Sequence, residues 1–191
     1  MRWLVLYGRS RQVPASAAAC ALTVLALWSL APGSGEGPVD LATVVLVLTA
    51  NVAAAGLGLG GQDVMLDRTA AIRWVTRRAA HVLLIGAVAG AALLAVQAAG
   101  PELAPVALVA RDSAGLVGLA ALGATVFGAQ FAWTLPTGWL GLVLFGAVPA
   151  GTVGEVTGWM LMPPGTAAAT WTALTLLVTG TVLYAVAGPR R

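Results

Sequence analysis

Apolar residues run along this chain in blocks, and the blocks are long enough to matter, because about 20 predominantly apolar residues in helical form cross a bilayer core. Five are clear: residues 15–31, 41–60, 80–100, 115–134 and 166–187. Each predicts one transmembrane helix, since only a helix or a closed barrel satisfies the backbone in hydrocarbon. A sixth stretch, 137–163, is irregular. Its continuous apolar run ends at Ala150 and is broken by Pro149, Gly151, Gly154 and Glu155. Either a tilted fifth helix continues towards Glu155, or the fifth helix covers 137–150 and residues 151–163 fold back as a re-entrant segment. The latter is tolerated only where protein or a wet cavity covers the backbone.

Two polar stretches complete the pattern. Residues 1–14 interleave Trp3, Leu4, Leu6 and Tyr7 with Arg2, Arg9 and Arg11, which suits a helix lying in the headgroup layer. Residues 62–79 form the one long polar segment and are expected to be helical. Asp63 serves as an N-cap, Leu66, Ala70, Trp74 and Arg77 recur at helical spacing, and the acids precede the arginines as the helix dipole favours.

Composition agrees with lipid as the main solvent. The chain has 191 residues, 59% hydrophobic and 9% charged, where a soluble domain carries about a quarter charged residues. Its basic side chains are all arginine, so a phosphate loop of the GxxxxGK[ST] type is excluded. The single cysteine, Cys20, and single histidine, His81, leave no multi-Cys or multi-His metal site. The basic balance does not point to nucleic acid, because the arginines are distributed as membrane topology requires. With six spans, Arg2, Arg9, Arg11, Arg68, Arg73, Arg77, Arg78, Arg190 and Arg191 share one side with Asp63 and Asp67. Arg111, Glu36, Asp40, Glu102, Asp112 and Glu155 fall on the other. Positive charge collects in the cytoplasm, so both termini are expected inside. The fold class is therefore an all-α integral membrane protein with six transmembrane helices, an N-terminal interfacial helix and a cytoplasmic helix between the second and third spans.

Few polar groups remain inside the spans, which disfavours a proton-coupled carrier. Asn51 and Gln130 are expected to bond between helices, and the threonines of 166–187 can bond back to their own helix. Glu155 reads either as an interfacial carboxylate or as an outer-gate residue. Gly56 with Gly60, and Gly86 with Gly90, permit close helix packing within the chain or across a dimer seam. The GxGxxG match at Gly56–Gly61 ends a span and lacks a βαβ context, so it indicates no dinucleotide site.

This order of elements resembles the permease subunits of ABC-2-type ATP-binding cassette transporters. Asp67-Arg68-Thr69-Ala70-Ala71 with the arginine-rich helix after it, and Ala110-Arg111-Asp112-Ser113-Ala114-Gly115-Leu116, look like short actinobacterial members. The resemblance implies that 62–79 is a coupling helix. Asp63, Asp67 and Arg68 would touch a separate ATPase subunit, and Arg73, Arg77 and Arg78 would bind headgroups or acidic ATPase residues. It also implies a second permease copy or sister permease, a bacterial plasma membrane, and ATP and Mg on the partner with no cofactor on this chain. No import-type loop follows Asp67, which favours export. The other class left open is a helical membrane protein that anchors or regulates a cytoplasmic partner without transport.

Overall fold

A computed structural model describes residues 40–60, 74–99 and 103–190. The expected first span, the interfacial N-terminal helix, Cys20, Asp63, Asp67, Arg68 and Arg73 lie outside the described residues. Helix α1 (Leu41–Gly56) starts behind Asp40 and ends in a 3-10 turn, Leu57–Leu59. Helix α2 is Trp74–Ala99, α3 is Val106–Val126, α4 is Thr134–Phe145, α5 is Thr152–Thr157 and α6 is Ala167–Ala187. Further 3-10 turns lie at Ala129–Phe131 and Trp159–Leu161. Among the described residues there is no strand. Four helices, α1 with its 3-10 turn, α2, α3 and α6, are long and apolar enough to cross a membrane.

Helix α3 is the axis of the bundle. It is buried over most of its length and packs on α1, α2, α4 and, most extensively, α6. Glycines set these approaches. A Cβ on Gly118 would lie 2.6 Å from the Leu177 nitrogen, and one on Gly180 would lie 2.8 Å from the Gly118 carbonyl carbon, so α3 and α6 meet backbone to backbone. Gly86 and Gly90 admit Val117 and Ser113 of α3, and Gly56 faces Ala120 and Ala132. Both glycine pairs singled out in the sequence are thus occupied inside the chain.

Three boundaries differ from the expectations, each for a local reason. The described part of helix α2 runs unbroken from Trp74 through Arg77, Arg78 and His81, so residues 74–79 are continuous with a helix long and apolar enough to cross a membrane. Helix α3 starts nine residues before the expected 115, because Pro105 occupies the N-cap and a rigid ring is welcome there. It ends at Val126 before Gly128, whose φ of 104° no helix accommodates. The region 137–163 divides as well: α4 has 12 residues, about 18 Å of helix against an apolar core of about 30 Å, and stops at an extended Gly146. Residues 146–165 then return as the short α5, a 3-10 turn and the Pro163-Pro164 pair.

The chain contacts define two ends. Tyr184 Oη donates to the Leu59 carbonyl and His81 Nε2 lies 3.3 Å from the Gly58 carbonyl oxygen. The backbone N–H of Arg190 donates to the Ala124 carbonyl at 3.0 Å. These residues, with Arg77 and Arg78, form the basic end. The interrupted segment sits towards the opposite end.

Candidate functional site

The charges expected in an outer loop are instead inside the bundle. Arg111 lies five residues into α3, about 7.5 Å along it, and Asp112 follows directly. Their side chains are 6% and 0% exposed. Arg111 Nε donates to Asp112 Oδ1 at 2.8 Å. Its Nη2 donates to the Met162 carbonyl at 2.9 Å and its Nη1 to the Pro163 carbonyl at 3.3 Å. The expectation that the spans hold almost no ionisable groups is therefore corrected. An adjacent Arg-Asp pair can enter an apolar helix when the two side chains answer each other and further acceptors take the remaining N–H groups.

The acceptors come from the interrupted segment for a simple reason. Met162 is extended and its carbonyl lies outside any helical ladder, while the Pro163 carbonyl shares its acceptor capacity between Arg111 and the Thr166 backbone N–H and hydroxyl. A guanidinium presents several donors in a fixed fork and matches two neighbouring carbonyls well. Two tryptophans complete the attachment. Trp159 is fully buried with its six-membered ring over Gly115, where an added Cβ would lie 2.7 Å from Cζ3 and 3.0 Å from Cζ2. Trp139 Nε1 of α4 donates to the Thr157 carbonyl at 2.8 Å. Arg111, Asp112 and Gly115 share one face of α3, at spacings of one and four residues.

The pair leaves two polar atoms over. Asp112 Oδ2 and Trp159 Nε1 are both buried with no hydrogen-bond partner among the described residues. Ser113 is satisfied, its hydroxyl donating back to the Val109 carbonyl. Asn51 of α1 is also fully buried. Gly56 packs at Ala120 and both helices run the same way, so Asn51 lies level with Gly115. Arg111, Asp112 and Trp159 thus make a small buried polar layer, formally neutral and roofed by the non-helical backbone at Met162 and Pro163.

Glu155 sits half-buried on α5, away from this pairing: Arg111 takes Asp112 as its carboxylate. Several threonines of α6 bond back to their own helix, while Thr181 Oγ1 is buried with no hydrogen-bond partner among the described residues. Thr170, Thr172 and Thr179 donate to carbonyls of Thr166, Ala168 and Thr175 in their own helix. At the basic end Arg77 is exposed, whereas Arg78 is half-buried with its guanidinium against Gly188. Arg190 Nη1 donates to the Val126 carbonyl at 3.2 Å.

Sequence reasoning missed Arg111, Asp112, Gly115 and Trp159 as one site. A readable signal existed: counting a helix from Pro105 places Arg111 and Asp112 in its second turn. Nothing in the local sequence assigns them carbonyls some fifty residues later. Comparison of the chain with family models, with curated proteins and with solved structures gives no match. The findings themselves amount to an all-helical protein, over the described residues, with four helices fit to span a membrane.

Proposed function

We propose that this chain is the permease subunit of an ATP-binding cassette transporter of a bacterial plasma membrane, working in the export direction with a second permease bundle and a separate ATPase. The observation that supports it is the polar layer under the interrupted segment. An anchor needs apolar spans and nothing more. A buried ion pair carries a desolvation cost that a hydrophobic pair of the same shape avoids, and charged groups within membrane segments characteristically serve substrate or ion pathways. Interrupted helices around such groups are the usual construction of transporter sites. Gly60 and Trp74 both lie at the basic end, where a cytoplasmic ATPase would dock; Asp63, Asp67, Arg68, Arg73 and the exposed Arg77 are its proposed contacts. ATP and Mg belong to that partner.

Purification in mild detergent from the native host tests the reading. Co-elution of an ATPase that is lost on Asp67→Arg with Arg68→Glu supports it. A chain that elutes without any nucleotide-hydrolysing partner, and whose elution those charge reversals leave unchanged, refutes it and favours the non-transporting anchor.

A further inference from the structure

Two arginines at the basic end are placed differently from the rest. Arg78 is half-buried at the start of α2, and its guanidinium lies on the backbone at the end of α6. A Cβ at Gly188 would sit 2.9 Å from Arg78 Nη1, 3.0 Å from Cζ and 3.2 Å from Nη2. Gly188 also has φ +75°, a conformation open chiefly to glycine, so both the turn and the guanidinium exclude a side chain here. Arg190 follows two residues later and donates one N–H to the Val126 carbonyl at the end of α3. Neither arginine has a carboxylate partner among the described residues, where the ion pair is Arg111 with Asp112. Among the described residues Arg78 makes no hydrogen bond, and its guanidinium is half-buried against the Gly188 backbone.

The surroundings indicate what the fork meets. Val75, one turn before Arg78 on α2, Val182 and Val186 near the end of α6, and Phe127 directly after α3 are all about half or more exposed. Cations beside outward apolar side chains mark the boundary between acyl chains and headgroups. A guanidinium fork suits the oxygens of a phosphate, which accept two parallel N–H bonds. We propose that Arg78 binds the phosphate of an anionic phospholipid, with Arg190 a second cation at the same end of the bundle and the acyl chains over the valines of α6. A soluble phosphate offers the same oxygens but has nothing to lay on those valines. Arg77 provides the comparison: it carries the same charge one residue earlier, turned about 100° around the helix and exposed. The proposal does not rest on the transport reading and its test contains no ATPase.

The full chain is reconstituted in phosphatidylcholine nanodiscs, and the association of spin-labelled phosphatidylglycerol is measured against spin-labelled phosphatidylcholine. A basic residue at the membrane surface contributes roughly five-fold in affinity for an anionic lipid, so Arg78→Gln, which loses the fork as well as the charge, is expected to lower the phosphatidylglycerol preference by clearly more than that factor. Arg78→Lys, which keeps the charge and loses the fork, is expected between the two, and it keeps the test valid if the glutamine variant does not fold. Arg77→Gln, which removes only diffuse surface charge, is expected to change the preference by no more than roughly five-fold. Equal losses at positions 77 and 78 would mean diffuse surface charge and overturn the site, as would a wild-type chain without preference. Displacement of the labelled lipid by inorganic phosphate would overturn the lipid assignment in favour of a soluble phosphate.

Discussion

Removing Arg111 alone should be far more damaging than removing it together with Asp112. The Asp112 side chain is wholly excluded from solvent, and Arg111 supplies its one hydrogen bond among the described residues. Arg111→Met therefore strands a buried carboxylate, a change that typically costs about 3–5 kcal/mol. It also releases two carbonyls, but unequally. The Pro163 oxygen still accepts from the Thr166 backbone N–H at 3.3 Å and hydroxyl at 3.0 Å, whereas the Met162 oxygen has no such substitute in view. One orphaned buried carbonyl adds about 1–3 kcal/mol. In Arg111→Met with Asp112→Leu the stranded charge disappears, and replacing a buried pair by apolar side chains of similar volume is neutral or better by about 1–4 kcal/mol. The double variant should then lose only what the Met162 carbonyl loses, up to about 3 kcal/mol, and should be more stable than the single variant by about 3–5 kcal/mol, the stranded-charge term. Reversible unfolding of the chain in bicelles, followed by tryptophan fluorescence and by proteolysis between residues 146 and 165, measures both. A double variant as unstable as Arg111→Met would refute the reasoning, because the damage would then come from the lost carbonyl bonds and not from an uncompensated charge.

Two further substitutions probe the same architecture. Gly115→Val places a side chain where the Trp159 ring lies and should destabilise by about 1–3 kcal/mol, with a shift in tryptophan emission as the ring is displaced; an unchanged spectrum would show that Trp159 does not pack there. Tyr184→Phe removes the donor to the Leu59 carbonyl and should cost about 1–3 kcal/mol, read as faster amide exchange at Gly60 and the residues before it; unaltered exchange at the end of α1 would contradict the contact.

Much of the membrane character of this protein was legible from side-chain chemistry alone. The runs at 41–60 and 166–187 coincide closely with α1, its 3-10 turn and α6, because an unbroken apolar helix in lipid needs nothing from its neighbours to satisfy its backbone. The gathering of Arg77, Arg78 and Arg190 at one end of the bundle was likewise foreshadowed by their spacing between runs. Where the reading failed, it failed at charge. Treating Arg111 and Asp112 as loop residues moved the start of α3 by nine positions, since hydropathy counts each charge as a cost and cannot see that the two cancel each other.

The sequence by itself determined that several stretches are apolar and long enough to cross a membrane, roughly where those helices run, and which segments are too broken to cross in one piece. The tertiary structure decided which glycines became contacts between backbones, with Gly118 and Gly180 at the crossing of α3 and α6 and Gly115 beneath Trp159. It also decided that the Arg111–Asp112 pair is interior, by bringing the carbonyls of Met162 and Pro163 from beyond the interrupted segment to meet it. The physical reason is the range of the interactions. Transfer to lipid is additive over neighbouring residues and can be summed along the chain. The cost of a buried charge depends on partners that only folding supplies.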